Sequence, residues 1–510
     1  MPLPPPEPLH HVQTLLGKKY RNPWPSAASP ALCELFSGPW LGLPKTELRE
    51  AALSGRGVQD VEVVKPDWGR KEMKRRRKVE PESDFVRGTW IGHAGAFIEI
   101  PVTGTDPSPS TSASSSSTRP STVKLLFDPI FSARAGPGGY FGPRRMRAPP
   151  CEVKDLPAVD MVFISHNHYD HLDLPTIVAI KERGPKTEYF VGLGNKPWFT
   201  ALGIPASRVF EHDWWEETDI EGHNGEVIRV TCVPSQHTSG RGVLDQRATL
   251  WCGWVVERLV PASPTAVKKL SSSYATVLPA PSSPPPDSLS PFSDSHAVDY
   301  LDRAKQPASQ DSSAQRSLGR STSDTPKDSP NEPLLVDPSR YVRPASKREK
   351  RLKGVWVRKG AVYHAGDTGY RPFYGSLTVC PAFASLGANY GPFDLSFVPI
   401  WRGGTMGFVS AMGLRLCHQN LPCATHGSPG DGVDIHLDVR SRNTIGMHFG
   451  TFEGSTLEEL EALTELKREI KAAKVLPLHS RKEDSPNGRM GWTNIGETHV
   501  VKVLEHLVED

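Results

Sequence analysis

The sequence predicts a mixed α/β fold, organised around one short polar run and interrupted by segments that cannot pack. Three observations lead there. Apolar stretches of strand length recur along the chain, and the one at 158–164 runs directly into Ser165-His166-Asn167-His168-Tyr169-Asp170-His171-Leu172-Asp173. That run is followed by Leu174-Pro175 and apolar residues at helical spacing up to Gly184, with proline in the first turn and glycine at the stop. Two tracts, at about 103–122 and 261–349, are dense in Ser and Pro and poor in aromatics. Such tracts lack the apolar surface to offset the conformational entropy of ordering. One domain is therefore expected over 85–510, with long disordered insertions at those two places. A partly disordered extension is expected over 1–84.

Composition narrows the class. The 510 residues carry 60 Lys plus Arg against 57 Asp plus Glu, a formal charge of +3, which argues against a nucleic-acid partner. The seven cysteines form no Cys-x-x-Cys pair, which points to reduced thiols inside a cell. No apolar run approaches the roughly 18 residues of a membrane span. The start, MPLPPPEPLHHVQ, has neither a secretory layout nor the arginines of a mitochondrial presequence. The expectation is an intracellular protein, cytoplasmic or peripheral to a membrane, with a mitochondrial location left open.

The elements follow in order. The basic run Arg70–Lys78 reads as a solvated linker, with anionic lipid headgroups or nuclear import as other uses. Residues 86–100 read as two strands around a Gly-rich turn, and 123–129 as a strand closed by Asp128-Pro129. Further strands are expected at 189–195, at 226–237 ending on His237, and at 249–257. The long insertion then separates two adjacent strands, because loop-closure cost grows slowly with length. Structure resumes at 354–357 and 361–370, where Asp367 ends a strand, then at 393–400 and at 444–452 with His448 inside. An amphipathic helix is expected from Leu457 to Ala473.

The polar run points to metal chemistry. In an extended turn His166 and His168 face the same way. The chain then brings Asp170 and His171 in from the other side, enough donors to begin two metal positions. Imidazole with carboxylate suits zinc, ahead of iron or manganese. His166, His168 and His237 would hold one ion and Asp170, His171 and His448 the other, with Asp367 bridging. The bland readings stay open: a His-rich surface loop, a turn residue at His237, an Asx-turn at Asp367, a core histidine at His448. His93 and His479 are candidates for orienting the ligands. His212, His223, His364 and His418 read as structural or surface residues.

The blocks KYRNPWPS, GTWIGHAGAFIE, FDPIFSARAGPGGYFGPRRMRAPPC, VDMVFISHNHYDHLD, HAGDTGY and IGMHFGTF resemble the N-acylphosphatidylethanolamine-hydrolysing phospholipases D. These are members of the metallo-β-lactamase fold family, and the blocks recur in family order between about residues 18 and 452. The resemblance implies an αββα four-layer sandwich with two zinc ions on the seven residues named above. It implies catalytic roles for Asp170, Asp367 and His426, and places Tyr169 and His426 at the substrate. It also implies hydrolysis of the distal phosphodiester to N-acylethanolamine and phosphatidic acid, a phospholipid substrate, a membrane surface as partner and a possible homodimer. An aromatic mouth around Trp214, Trp215 and Phe141 would favour lipid. The chain departs from the family at Thr238, at the extra segment 413–425 and at Ser428-Pro429-Gly430-Asp431, which bears on substrate selectivity. Other readings are another hydrolase on this fold, a lactonase or different phosphodiesterase, and a non-catalytic interaction protein.

Overall fold

Alternation along the strands decides which side chains meet. Leu125 and Phe127 join one apolar cluster while Leu126 between them joins another; Phe163 and its neighbours Val162 and Ile164 divide the same way. A sheet that is apolar on both faces must be covered on both. The computed structural model does this with two packed sheets and helices outside each. It describes residues 9–15, 17–28, 41–42, 61–76, 78–105, 120–222, 225–274, 355–401, 415–416, 424–452, 456–480, 482 and 485–508.

Among the described residues the first sheet has seven strands. Their order is Thr498–Lys502, Phe85–Gly92, Gly95–Thr105, Pro120–Phe127, Met161–Ile164, Glu188–Gly192 and Val209–His212. The second runs Glu217–Glu221, Val227–Val233, Gly253–Pro261, Trp356–His364, Leu395–Pro399, Asn443–Met447, Arg489–Gly491 and Leu476–Pro477, with Glu505–Val508 also pairing with Trp356–His364. Helices Leu174–Arg183 and Lys196–Ala201 cover the outer face of the first sheet through Ile177, Ile180 and Phe199. Helices Ala382–Tyr390, Pro429–Asp438 and Thr456–Ala472 lie against the second sheet's side of the core. Between the sheets Trp90, Trp251 and Trp254 are fully buried. The layers make an αββα four-layer sandwich, the fold that the resemblance implies.

Several expectations are refined. The strands beside the first low-complexity tract reach further than expected, pairing out to Thr105 and Pro120; residues 106–119 lie outside the described residues. The strands flanking the second tract, Gly253–Pro261 and Trp356–His364, are antiparallel neighbours as anticipated. Residues 264–274, expected to be disordered, form a helix, and 275–354 lie outside the described residues. The chain divides by contacts into a main unit and a second unit, Lys268–Leu335, of which only the end of that helix is described. The basic run is not a solvated linker over its length. Arg70–Arg76 is a helix that buries Met73, pairs Arg75 and Arg76 with Glu72 and lays Arg76 on the Phe85 ring.

The N-terminal segment also packs on the domain. Strands His11–Thr14 and Gly17–Tyr20 form a hairpin, the Tyr20 amide donates to the Arg247 carbonyl at 2.9 Å, and Tyr20 and Trp24 join the core between the sheets. No helix among the described residues is long and apolar enough to cross a membrane.

Candidate metal centre

The polar run leaves the first sheet at the end of Met161–Ile164 and enters the helix Leu174–Arg183. Parallel pairing sets Phe127 beside Phe163, which places Asp128 next to Ser165. Asp128 accepts from the Ser165 amide at 2.7 Å, from the Ser165 hydroxyl at 2.6 Å and from His171 Nδ1 at 2.8 Å. Across the sandwich, Asp367 follows the strand Trp356–His364 through Gly366. Gly366 has φ +61°, and a Cβ there would stand 2.6 Å from Ser165 Cβ and 2.7 Å from the Cys252 carbonyl oxygen. Only glycine lets the carboxylate approach so closely. His448 comes just after Asn443–Met447, not within a strand as expected, and takes a left-handed φ of 68°. His237 lies four residues beyond its strand, which ends at Val233, and not at its last position as expected.

These residues meet in two adjoining groups. His166 Nε2 and His168 Nδ1 are 2.8 Å apart, and His237 Nε2 is 3.2 and 3.4 Å from them. Two nitrogens on one tetrahedral zinc at about 2.0–2.1 Å stand roughly 3.3 Å apart, so this triangle is of ligand size. In the second group His171 Nε2 and His448 Nε2 each lie 3.0 Å from Asp367 Oδ2, and Asp170 Oδ2 is 3.8 Å from His171 Nε2. Asp367 Oδ2 also stands 3.9 Å from His166 and 3.8 Å from His237, which makes it common to both groups.

The donor set fits divalent cations. His171 Nε2, His448 Nε2 and Asp367 Oδ1 are buried with no hydrogen-bond partner. The ring nitrogens facing outward are occupied: His166 Nδ1 by the Ser165 hydroxyl at 2.9 Å, His237 Nδ1 by the Thr425 carbonyl at 2.8 Å, His448 Nδ1 by the Trp401 carbonyl at 2.9 Å, and His171 Nδ1 by Asp128. A carbonyl or carboxylate on one nitrogen fixes the tautomer and turns the other nitrogen's lone pair inward. Burial, reinforced by neighbouring imidazoles, holds His166 and His237 well below the usual histidine range, and burial lowers His168 too. The second group behaves oppositely. Burial works against charge on His171 and His448, yet Asp367 and the carboxylates near it outweigh burial and raise both. Burial would raise the Asp367 and Asp170 carboxyls, but His171 above all keeps both well below the carboxylate range. That half of the cluster demands positive charge.

The surrounding residues sort into those anticipated and those not. His93 Nε2 lies 3.0 Å from Asp170 Oδ2, where an orienting residue was expected. His479 does not share that place; it is exposed, with Nε2 near the Trp492 carbonyl. His426 Nδ1 is 3.9 Å from Asp367 Oδ2, with its ring 4.8 Å from that of His237, so it faces the cluster. His212 and His364 are buried, bonding Thr218 and the Ala94 carbonyl, and His436 is buried in its helix against Thr444. His223 and His418 lie outside the described residues, as does most of 413–425; its end supplies the Ala424 and Thr425 carbonyls that accept from Gln236 and meet His237.

Tyr169 sits on the rim under Arg241, whose guanidinium lies 4.4 Å from the ring centroid. Arg241 also donates to the carbonyls of Asn167 and Leu172, clamping the metal loop from outside. Asp128 and Arg241 escaped sequence reasoning. The mouth is corrected as well. Trp214 is buried, stacked on Trp24 and donating to the Trp251 carbonyl, and Trp215 stacks on Tyr390; of the three expected aromatics Phe141 alone is exposed.

Comparison with known proteins agrees with this geometry. Residues 124–264 match the beta-lactamase superfamily domain. The chain is 25% identical over 384 residues to N-acyl-phosphatidylethanolamine-hydrolyzing phospholipase D 1 of Caenorhabditis elegans, covering 74% of this chain and 68% of that protein. An uncharacterized protein of Mycobacterium tuberculosis is 35% identical over 168 residues, 32% of this chain and 37% of its own length. The mitochondrial N-acyl-phosphatidylethanolamine-hydrolyzing phospholipase D of Saccharomyces cerevisiae is 30% identical over 141 residues, 26% of this chain and 28% of its own. The chain thus spans well under two thirds of the last two relatives.

Proposed function

We propose, on the premise that the chain belongs to the metallo-β-lactamase superfamily of metal-dependent hydrolases, that it is a phospholipase of the D type. Its substrate on this reading is N-acylphosphatidylethanolamine, cleaved at the distal phosphodiester to N-acylethanolamine and phosphatidic acid. The observation that carries the reading is the sharing of Asp367 between two adjacent donor groups. His166, His168 and His237 would hold one zinc ion, and Asp170, His171 and His448 a second. When bound, a pair of such ions supplies Lewis acidity at a phosphoryl oxygen and lowers the pKa of water towards 7.

The chain's own residues do the rest. Asp128, Ser165 and the Thr425 and Trp401 carbonyls hold the imidazoles in one orientation, so no reorganisation is needed during reaction. His93 holds Asp170. Tyr169 and His426, at the rim of the cluster, would meet the phosphate and headgroup. Two loops support a lipid substrate. One is tied to the metal loop by the Ser132 hydroxyl donating to Asp173 at 2.8 Å and exposes Tyr140 and Phe141 by 80% and 69%. The other is tied by the Gly240 amide donating to Asn167 at 2.8 Å and exposes Val243 and Leu244 by 92% and 82%. Apolar side chains grouped around a polar centre suit a membrane surface better than a small polar ester.

The test is mass spectrometry of products after the zinc-loaded protein meets N-acylphosphatidylethanolamine in mixed micelles. N-Acylethanolamine and phosphatidic acid in equal amounts are expected. Intact lipid from protein whose central cluster holds both its zinc ions would transfer the reading to another substrate on the same hydrolase scaffold.

A further inference from the structure

The pair His10-His11 near the start of the chain takes no part in the central cluster. Adjacent residues in a strand point to opposite faces. Here His10 lies in the turn before the strand His11–Thr14, and both imidazoles converge on one carboxylate, Asp213, from the loop after Val209–His212. His10 Nε2 is 2.6 Å from Asp213 Oδ1, and His11 Nε2 is 2.9 Å from Asp213 Oδ2. The second approach is a close contact of poor alignment, and His11 Nε2 is buried. The two histidine side chains are 10% exposed and the Asp213 side chain 15%.

The surroundings hold these donors still. The His10 ring stacks on Trp214 at 4.2 Å, Trp214 stacks on Trp24 at 5.2 Å, and the His11 ring meets Tyr20 edge-on at 5.3 Å. The Trp214 amide donates to Asp213 Oδ1 at 2.9 Å, fixing the carboxylate. Burial lowers His11, and His10 and Lys18 act the same way, against an opposing pull from Asp213. Two imidazole nitrogens held against one fixed carboxylate make a ready donor set. Two nitrogens and one oxygen within 4.8 Å of one another match a borderline-soft divalent ion with an open fourth position.

We propose that His10, His11 and Asp213 form a separate mononuclear site for a zinc-type divalent cation, which fastens the N-terminal hairpin to the domain. The site matters to the centre through the chain that follows it. Beyond the hairpin, Asn22 Nδ2 donates to the His237 carbonyl at 2.7 Å and the Ser26 hydroxyl donates to Gln236 at 2.5 Å. Fastening the hairpin therefore fastens the backbone that carries His237. The site does not depend on which lipid, if any, is cleaved.

The experiment counts metal per chain by plasma mass spectrometry, on full-length protein carrying no polyhistidine tag and equilibrated with zinc. His11→Gln and Asp213→Asn are each expected to hold one ion fewer than wild type, and the same single ion is expected to vanish when either change is added to Asp367→Asn. That pairing separates this site from the central one. Equal zinc in wild type and both variants overturns the proposal and leaves a plain histidine–aspartate ion pair. A readout on wild type alone guards against a variant that does not fold. Tryptic cleavage at Lys18, Lys19 and Arg21 is expected to slow by about 100-fold when free zinc rises to a hundred times the site's Kd, because binding removes the open hairpin in that proportion. Cleavage that ignores zinc across its titration also overturns it.

Discussion

The two halves of the central cluster are built on different supports. The half made of His166, His168 and His237 is all imidazole, kept neutral by burial, and its outward nitrogens rest on a hydroxyl and a backbone carbonyl. The half made of Asp170, His171 and His448 is rich in carboxylate, and His171 leans on a buried one, Asp128. A neutral half can wait for its ion at little cost, whereas in the other half the carboxylates draw positive charge, held as protons on His171 and His448 until a cation replaces them. The second half should therefore bind its cation more tightly and suffer more when a support is removed.

The largest effect is expected where the halves join. Asp367→Ala removes the oxygen common to both groups, and both ions should weaken together. Loss of activity beyond the roughly 100-fold of an outer support is expected, with zinc content falling in step. If one ion stays at full occupancy while the other leaves, Asp367 belongs to one half alone and the comparison fails at its centre.

Next comes Asp128→Asn. The amide presents N–H groups where His171 Nδ1–H and the Ser165 hydroxyl now donate. His171 is then driven to the other tautomer, which places a proton on the nitrogen aimed at the cluster. A loss of about 10–100-fold in zinc affinity is expected, confined to one ion per chain and recovered at high zinc. An equal loss from both ions would show that the halves are not separately supported.

Gly366→Ala tests the geometry that lets one carboxylate serve two groups. The new methyl meets Ser165 and the Cys252 carbonyl, and φ at +61° is unfavourable for alanine. A stability loss of about 1–3 kcal/mol in thermal or denaturant melts is expected. An unchanged melt would mean that the strand Trp356–His364 can shift without penalty.

Legibility in the sequence followed the same divide between local and distant. His166, His168, Asp170 and His171 are readable because a single strand end and turn arranges them, and strand alternation is enough to orient them. His237, Asp367 and His448 were findable as polar residues near strand ends, although all three sit beyond the strands they were assigned to. Asp128 was not findable. Asp-Pro after a strand reads as a stop signal, and only the parallel pairing of Phe127 with Phe163 turns it into the support of a ligand 43 residues away. Its signal, in retrospect, is two successive buried strands whose first following residues are Asp and Ser. Arg241 was hidden for a related reason: its partners are backbone carbonyls, which carry no sequence mark. The mouth misled because exposure, not aromatic content, decides it; Trp214 and Trp215 are consumed by stacking, while Val243 and Leu244 lie open.

The smallest predicted effect sharpens the neutral half. His237 is the ligand whose main chain is held by the N-terminal segment, through Asn22 and, one residue earlier, Ser26. Asn22→Ala leaves the His237 carbonyl without its donor and the Trp251 indole without one of its acceptors, the other being the Ser235 carbonyl. A net hydrogen bond is worth about 1 kcal/mol, so zinc affinity at one ion should fall by less than about tenfold, with no change at the other. Competition against a chromophoric chelator reads both affinities in one titration. Weakening of the ion on His166, His168 and His237 alone would show that the neutral half draws its order from the N-terminal segment. Weakening of the other ion would place that segment's influence on the carboxylate half and invert the comparison.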